Sequence, residues 1–389
     1  GTPGTIRTYD TWFRRPVLYP LSYGCVCIKI RRNTGVIIAR QASCRLYFKD
    51  MDIHTNIPLK NYLTMKLGGS ARFMATVTTP DELAAAIRNA RSQSVPFFVL
   101  GGGSNVISRD EGFPGIVIRN RILGFEVLSD SAQSTTIKVG AGENWDEIVT
   151  KTVDMGLSGI EAMSAIPGTA GAAPVQNVGA YGQEIADTLI ELEAYDSQED
   201  RFVTLQNADC GFAYRHSMFR GDQAGRYGII SITLSLYKAS PQPPFYAALQ
   251  QYLDAHSITL FTPKVIRDAV IAIRAEKLPD PKLTPNTGSF FKNAIIESWQ
   301  LDDLRTNWPD MPSFDLGDKR VKIPTGWLIE QTGLKGQLLH GMRIHDKNAL
   351  VLINESATSY GDLAAARSEI MAKVRDTFRI QIEQEPLEI

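Results

Sequence analysis

The residues best suited to chemistry in this chain begin with Gly101-Gly102-Gly103-Ser104-Asn105. They follow Val95 to Leu100, an apolar run that reads as a short buried strand. Consecutive glycines at a strand end either make a sharp turn or offer their N–H groups as a nest for a phosphate or pyrophosphate. The pattern is neither G-x-G-x-x-G nor G-x-x-x-x-G-K-[ST], so it supports neither a Rossmann site nor a P-loop. Residues 164–183 are almost all small, Ser-Ala-Ile-Pro-Gly-Thr-Ala-Gly-Ala-Ala-Pro-Val-Gln-Asn-Val-Gly-Ala-Tyr-Gly-Gln. Such a run cannot fill a core with side chains, but it lets backbone come close to something. Two segments of this kind suit a large phosphate-bearing cofactor better than a small metabolite.

Three further places carry reactive side chains. Arg215 stands in Phe212-Ala213-Tyr214-Arg215-His216-Ser217. It is either a bidentate clamp for a carboxylate or a surface arginine whose stem packs on Tyr214. Ser289 follows a proline-rich approach (Pro279, Pro281, Pro285) and precedes two phenylalanines, with Lys292 nearby. It is either a turn residue or a donor of a proton or hydrogen bond. It is not in G-x-S-x-G and has no evident triad partners. The tail holds Glu383, Glu385 and Glu388. His340 and His345 are five apart, on different faces of any helix, and read as non-metal residues; no metal site is expected.

These groups must be positioned by a mixed set of elements. Thr79-Pro80-Asp81-Glu82 starts a helix with Leu83, Ala86, Ile87 and Ala90 on one face. Asn144 to Met155 reads as a second helix, ended by Gly156. Phe245 to His256, the run from Thr262-Pro263, Thr325 to Gln331 and the run from Ser359 read as four more. Strands are expected at 115–118, 135–139, 189–195, 201–204, 228–236 and 349–353. The tail from Phe378 to Ile389 alternates partly and can rejoin a sheet. The pattern is α+β, with at least two lobes and a cleft.

Composition narrows the function. The chain has 389 residues, 43% of them hydrophobic, enough for a sizeable core and two or three domains. With 41 basic and 42 acidic residues the net charge is -1, so no broad nucleic-acid groove is expected. No apolar run approaches a membrane span. Of four cysteines, three (Cys25, Cys27, Cys44) lie in the first fifty residues, and the body keeps only Cys210. This suits a reduced, cytoplasmic compartment. Residues 1–50 are arginine-rich and acid-poor and lack sustained periodicity. They read as an extension that carries little function, ahead of an ordinary start at Met51.

Together the segments resemble the UDP-N-acetylenolpyruvoylglucosamine reductase family. The resemblance rests on Asn61 to Gly69, Leu100 to Asn105, Ile166 to Gly182, Phe212 to Phe219, Gly288 to Asn293, Gly326 to Glu330 and Ala349 to Asn354, in family order over some 330 residues. It implies an α+β, vanillyl-alcohol-oxidase-like FAD-binding fold with an additional C-terminal α+β substrate-binding domain. The implied division is 1–50 extension, 51–118 and 119–265 FAD-binding subdomains, 266–378 substrate-binding domain and 379–389 returning tail. The longer form of the family carries an extra substrate-covering loop, here 239–262.

The resemblance also implies the site. Non-covalent FAD is expected on Gly101, Gly102, Gly103, Ser104 and Asn105, and on Pro167, Gly168, Gly171, Ala172, Gly179 and Gly182. Arg215, Ser289 and Glu385 are the implied catalytic residues. The family's Glu-Pro-Glu reads Glu383-Gln384-Glu385-Pro386 here. Tyr214, Tyr246, Lys277 and Lys292 are the implied substrate-binding residues. The implied partners are NADPH and UDP-N-acetylglucosamine enolpyruvate, acting on a cytoplasmic monomer with no nucleic acid and no membrane. The competing reading is another FAD oxidoreductase of the same fold, acting on an alcohol or sugar; such an enzyme is not expected to combine Tyr214-Arg215 with the Ser289 segment.

Overall fold

Thr79 caps the helix Pro80–Ser92 through its Oγ1, which accepts the Glu82 N–H at 3.2 Å, while the Glu82 carboxylate accepts the Thr78 N–H at 2.7 Å. The helix buries Leu83, Ala84, Ala86, Ile87 and Ala90. It is the crossover between two strands of a four-stranded sheet ordered Ile53–Pro58, Ser70–Val77, Phe113–Asn120, Phe97–Leu100. The last three strands run parallel to one another, which is why a helix must link them. This is a computed structural model, and it describes residues 52–389. The expectations for residues 1–50 lie outside the described residues.

The expected strand at 95–100 is shorter, Phe97–Leu100. Pro96 has no N–H to give the ladder, although its carbonyl accepts from Ile116 at 2.9 Å. The strand ends with its carboxyl end at Gly101, so the glycine turn sits at the edge of a parallel sheet.

A second sheet is wholly antiparallel, ordered Arg201–Gln206, Leu189–Asp196, Tyr227–Tyr237, Ser134–Gly140, Phe125–Asp130. The helix Trp145–Asp154 packs on it with Trp145, Ile148, Val149 and Val153 in the core. Asn144 caps this helix by accepting the Asp146 and Glu147 N–H groups, and Gly156 follows it at φ 75°. The helices Ala247–Ala255 and Pro263–Lys277 pack together over Ala162 with Leu249, Leu253, Ile266 and Val270 between them. Pro263–Lys277 is continuous across position 265, so a boundary at 265/266 falls inside one helix. That helix belongs by packing to the second lobe.

The third lobe joins two small antiparallel sheets, Asn286–Ser289 with Val351–Asn354, Met342–Ile344 and Leu338–Leu339, and Ala294–Glu297 with Arg320–Ile323 and Phe314–Gly317. The helices Ser298–Arg305, Thr325–Gln331 and Tyr360–Phe378 cover them. Leu363, Ala366, Ile370, Val374 and Phe378 form the inner stripe of the last helix and meet Leu328, Met342 and Phe290 in one core. The strand expected from Ala349 begins at Val351, because Asn348 and its neighbours make the turn that accepts the Val351 and Leu350 N–H groups. Beyond that helix the tail crosses to the first lobe. Leu387–Glu388 pairs in parallel with Val106–Ile107. Among the described residues no helix is long and apolar enough to cross a membrane.

Ile370 is fully buried in the third core. Ile370→Ala is expected to lower unfolding free energy by about 2–5 kcal/mol, measured by urea melts. A change under 1 kcal/mol would mean that this core is not packed as described.

Candidate active site

The glycine turn is built for backbone contact. A Cβ on Gly101 would meet Thr169 Oγ1 at 2.5 Å, and one on Gly102 would meet Gly168 Cα at 2.9 Å. Gly103 sits at φ 68°, where a Cβ would lie 2.0 Å from the Tyr62 carbonyl oxygen. The turn therefore presses directly on the small-residue segment. Ser104 Oγ donates to the Pro167 carbonyl at 2.8 Å, and Asn105 donates its side-chain N–H to Gln176. Two stretches more than sixty residues apart in sequence become one surface. Gly101 to Asn105, Pro167, Gly168, Gly171, Ala172 and Gly179 line a single cavity.

Arg215, Ser289 and Glu385 line the same cavity, each from a different element. Arg215 lies in a two-residue turn closed by Ala213 and His216, whose N–H groups donate to each other's carbonyls at 3.1 and 3.0 Å. Its φ is 51°, a region costly for a residue with a Cβ. That backbone aims the guanidinium inward, where Nη2 donates to the Gly179 carbonyl at 2.7 Å and Nε stands 3.4 Å from Glu385 Oε1. Ser289 ends the strand Asn286–Ser289, just after Gly288 at φ 71°. Glu385 is held by its own N–H, which donates to the Phe290 carbonyl at 2.8 Å, so the residue after Ser289 fixes the carboxylate's height.

Burial pushes the Glu385 carboxyl up, against the opposing pull of Arg215, Arg220 and Lys292. Its side chain is 12% exposed. Tyr214 is not part of the cavity lining. Arg215 lies over one side of its ring at 5.3 Å and Lys322 approaches it at 5.2 Å. Burial raises its phenol.

The remaining expected residues lie apart from the cavity lining. Tyr246 is 47% exposed and packs edge-on against Tyr181, ring centroids 6.0 Å apart. Gly182 stands beside Tyr246, with φ 89°. Lys277 is the exposed last residue of its helix. Lys292 pairs with Glu383 at 3.3 Å and reaches the site only through its field on Glu385.

Sequence reasoning missed Gln176, Arg220, Arg274 and Thr287. Gln176 accepts from Asn105 and from Arg220 at 3.1 Å, and lies 3.5 Å from Glu385 Oε1. It links the glycine turn to the carboxylate, and no local pattern marks it. Arg274 and Thr287 also line the cavity. The buried Thr287 Oγ1 has no hydrogen-bond partner among the described residues.

The tail that carries Glu385 is latched further on. Glu388 bonds Arg109 at 2.6 Å, Arg367 at 2.9 Å and the Tyr360 hydroxyl at 2.7 Å. Backbone bonds run from Leu387 to Asn105 and from Ile389 to Ile107, both 3.0 Å.

Comparison with known proteins places the chain. Residues 71–205 match the FAD binding domain family, and residues 280–389 match the UDP-N-acetylenolpyruvoylglucosamine reductase C-terminal domain. A UDP-N-acetylenolpyruvoylglucosamine reductase of Burkholderia cenocepacia is 40% identical over 336 residues, covering 85% of this chain and 95% of that one. One of Dechloromonas aromatica is 38% identical over 342 residues, covering 87% and 99%. The chain belongs to the UDP-N-acetylenolpyruvoylglucosamine reductase family. The crystal structure of the Thermus caldophilus UDP-N-acetylenolpyruvylglucosamine reductase has the same fold, with a TM-score of 0.60 and 24% identity over 87% of this chain and 99% of that one. The family's FAD-binding fold, vanillyl-alcohol-oxidase-like with an α+β C-terminal domain, is the architecture described above. The cavity fits FAD: its glycine walls leave no room for side chains where a pyrophosphate must meet backbone, and the orphaned Thr287 hydroxyl lies in its lining.

Two outcomes test this geometry. Glu388→Gln should loosen the tail while FAD stays bound. The amides of Leu387 and Ile389 should exchange at least ~10-fold faster, as expected when charge-assisted bonds worth about 1.5–3 kcal/mol are lost; unchanged protection would show that the latch does not hold the tail. Glu385 supplies a pH test. Its carboxyl is raised by burial, so the folded state keeps this proton to higher pH than the unfolded state, whose carboxyl titrates near 4.5. The stability tied to that proton is present below this value and is lost as pH rises through the raised one. In FAD-free protein, Glu385→Gln should gain stability relative to the parent as pH climbs above 4.5, read by urea melts at a series of pH values. A pH-independent difference would refute it.

Proposed function

We propose that this chain reduces UDP-N-acetylglucosamine enolpyruvate to UDP-N-acetylmuramate at the expense of NADPH, with tightly but non-covalently held FAD. The observation that carries this reading is one cavity in which Arg215, Ser289 and Glu385 meet the two glycine-rich segments. When bound, FAD supplies the hydride, obtained from NADPH, that is added at C3 of the enolpyruvyl group.

The chain's residues do the rest. Hydride addition at C3 leaves an electron pair on C2, spread into the adjoining carboxylate. Arg215 faces that charge with a fixed fork whose orientation is set by its bond to Gly179. Ser289 Oγ gives its proton to C2: the O–H bond breaks and the new C–H bond forms. Glu385, whose carboxyl burial pushes up against the pull of three cations, orders the enolpyruvyl group. Tyr214 holds Arg215 over its ring. Tyr246, Lys277 and Lys292 serve the outer part of the substrate, beyond the described cavity lining. The cations Arg215, Arg220 and Lys292, all of which act on Glu385, outweigh its single carboxyl, which suits a substrate carrying a diphosphate and a carboxylate. This activity belongs to a cytoplasmic monomer, in keeping with the buried free thiol of Cys210.

Ser289→Ala separates the two half-reactions. In anaerobic stopped-flow, flavin reduction by NADPH should stay near the parent rate. Reoxidation by the enolpyruvyl substrate should slow by about 10²-fold or more, the usual scale of general acid catalysis. Equal loss in both halves would remove Ser289 from the proton-donor role.

A further inference from the structure

Arg274 is a half-buried cation that no ion pair among the described residues engages. It stands one turn before the end of the helix Pro263–Lys277 and lines the cavity together with Leu278. Its guanidinium makes no hydrogen bond or ion pair with any described residue. The acidic group that influences it is Asp146, and that carboxylate is already taken by Arg267 through two bonds of 2.6 and 3.1 Å. Its other influence is the phenol of Tyr181, which burial keeps in the neutral form. Enclosing an uncompensated charge is expensive unless a partner arrives with the ligand.

Arg274 does not act on the carboxyl that stands beside Arg215 and Ser289. The cations acting on Glu385 are Arg215, Arg220 and Lys292, and Arg274 is not among them. Arg274 instead lines the cavity together with Gly179 of the small-residue segment. That is the segment assigned to the cofactor. A hydride brings two electrons and one proton, so it leaves one extra negative charge on whatever accepts it. A fixed cation at the accepting edge favours that charge, and the low dielectric of an enclosed site strengthens the effect.

We propose that Arg274 is a positioning and redox-tuning residue that supplies the fixed positive charge beside the ring system of bound FAD and thereby favours its reduced form. The inference rests on the reductase reading, because it assumes FAD in this cavity.

The test compares parent, Arg274→Lys, Arg274→Gln and Arg274→Met as purified holoenzymes. Each is titrated anaerobically against a reference dye to obtain the reduction potential of its bound FAD. Arg274→Met should retain FAD and show a lower potential, corresponding to at least a ~10-fold weaker preference for the reduced form. Arg274→Lys, which keeps the charge, should return most of that shift. If Arg274→Met fails to hold FAD, the neutral Arg274→Gln takes its place, with the same expected direction. A neutral variant that keeps FAD at the parent's potential overturns the proposal. So does one whose only defect is a raised KM for the UDP-sugar substrate, which would assign the charge to substrate. A parent that cannot be loaded with FAD would instead overturn the reductase reading itself.

Discussion

Two backbone hydrogen bonds hold the site together: Glu385 N–H to the Phe290 carbonyl, and Leu387 N–H to the Asn105 carbonyl. The first ties the tail to the strand that carries Ser289. The second ties the same tail to the exit of the glycine turn. Glu385 thus stands between the part of the chain assigned to the cofactor and the part assigned to proton transfer. A peptide N–H at this depth must find an acceptor, and each of these has one acceptor at hand. The first and third lobes meet through the tail, and its pairing sets where the carboxylate stands.

Electrostatics follows from the same closure. Bringing the tail inward removes Glu385 from water and sets it against Arg215. Burial alone drives the carboxyl toward neutrality, and three cations draw it back. The balance gives a carboxyl that can act as acid or acceptor within a basic cavity. Gln176 adds a neutral bridge from Asn105 toward the same carboxylate, so the glycine turn and the acid respond to each other.

Backbone strain is concentrated where the elements converge. Arg215 occupies a left-handed conformation in a two-residue turn, and Gly103 occupies one where a side chain would strike the Tyr62 carbonyl. The arginine has no glycine's excuse for that conformation. Its turn is closed by reciprocal bonds between Ala213 and His216, and its side chain is fastened to Gly179. Local strain is thereby balanced by fixed bonds on both sides, and the guanidinium gains a set direction.

Much of this protein could be read from residues alone. Helix starts at Thr79, Asn144, Thr262 and Ser359 follow from local capping, because the oxygen and the N–H groups it serves lie within three residues. The glycine turn, the small-residue run and the motif around Ser289 announce themselves by composition. Legibility failed where partners are remote. The strands Ser70–Val77 and Phe125–Asp130, and the short hairpins between Ala294 and Ile323, depend on neighbours that no local pattern reveals. Gln176, Arg274 and Thr287 are ordinary residues until folding gathers them around one cavity, and Arg220 until folding bonds it to Gln176. Which tail glutamate faces the cavity is a question of distance across the fold. Sequence determines capping, composition and the run of apolar faces, because these act between residues a few positions apart. Tertiary structure alone decided the convergence of Arg215, Ser289 and Glu385, because hydrogen bonding and Coulomb attraction depend on separation in space and not along the chain.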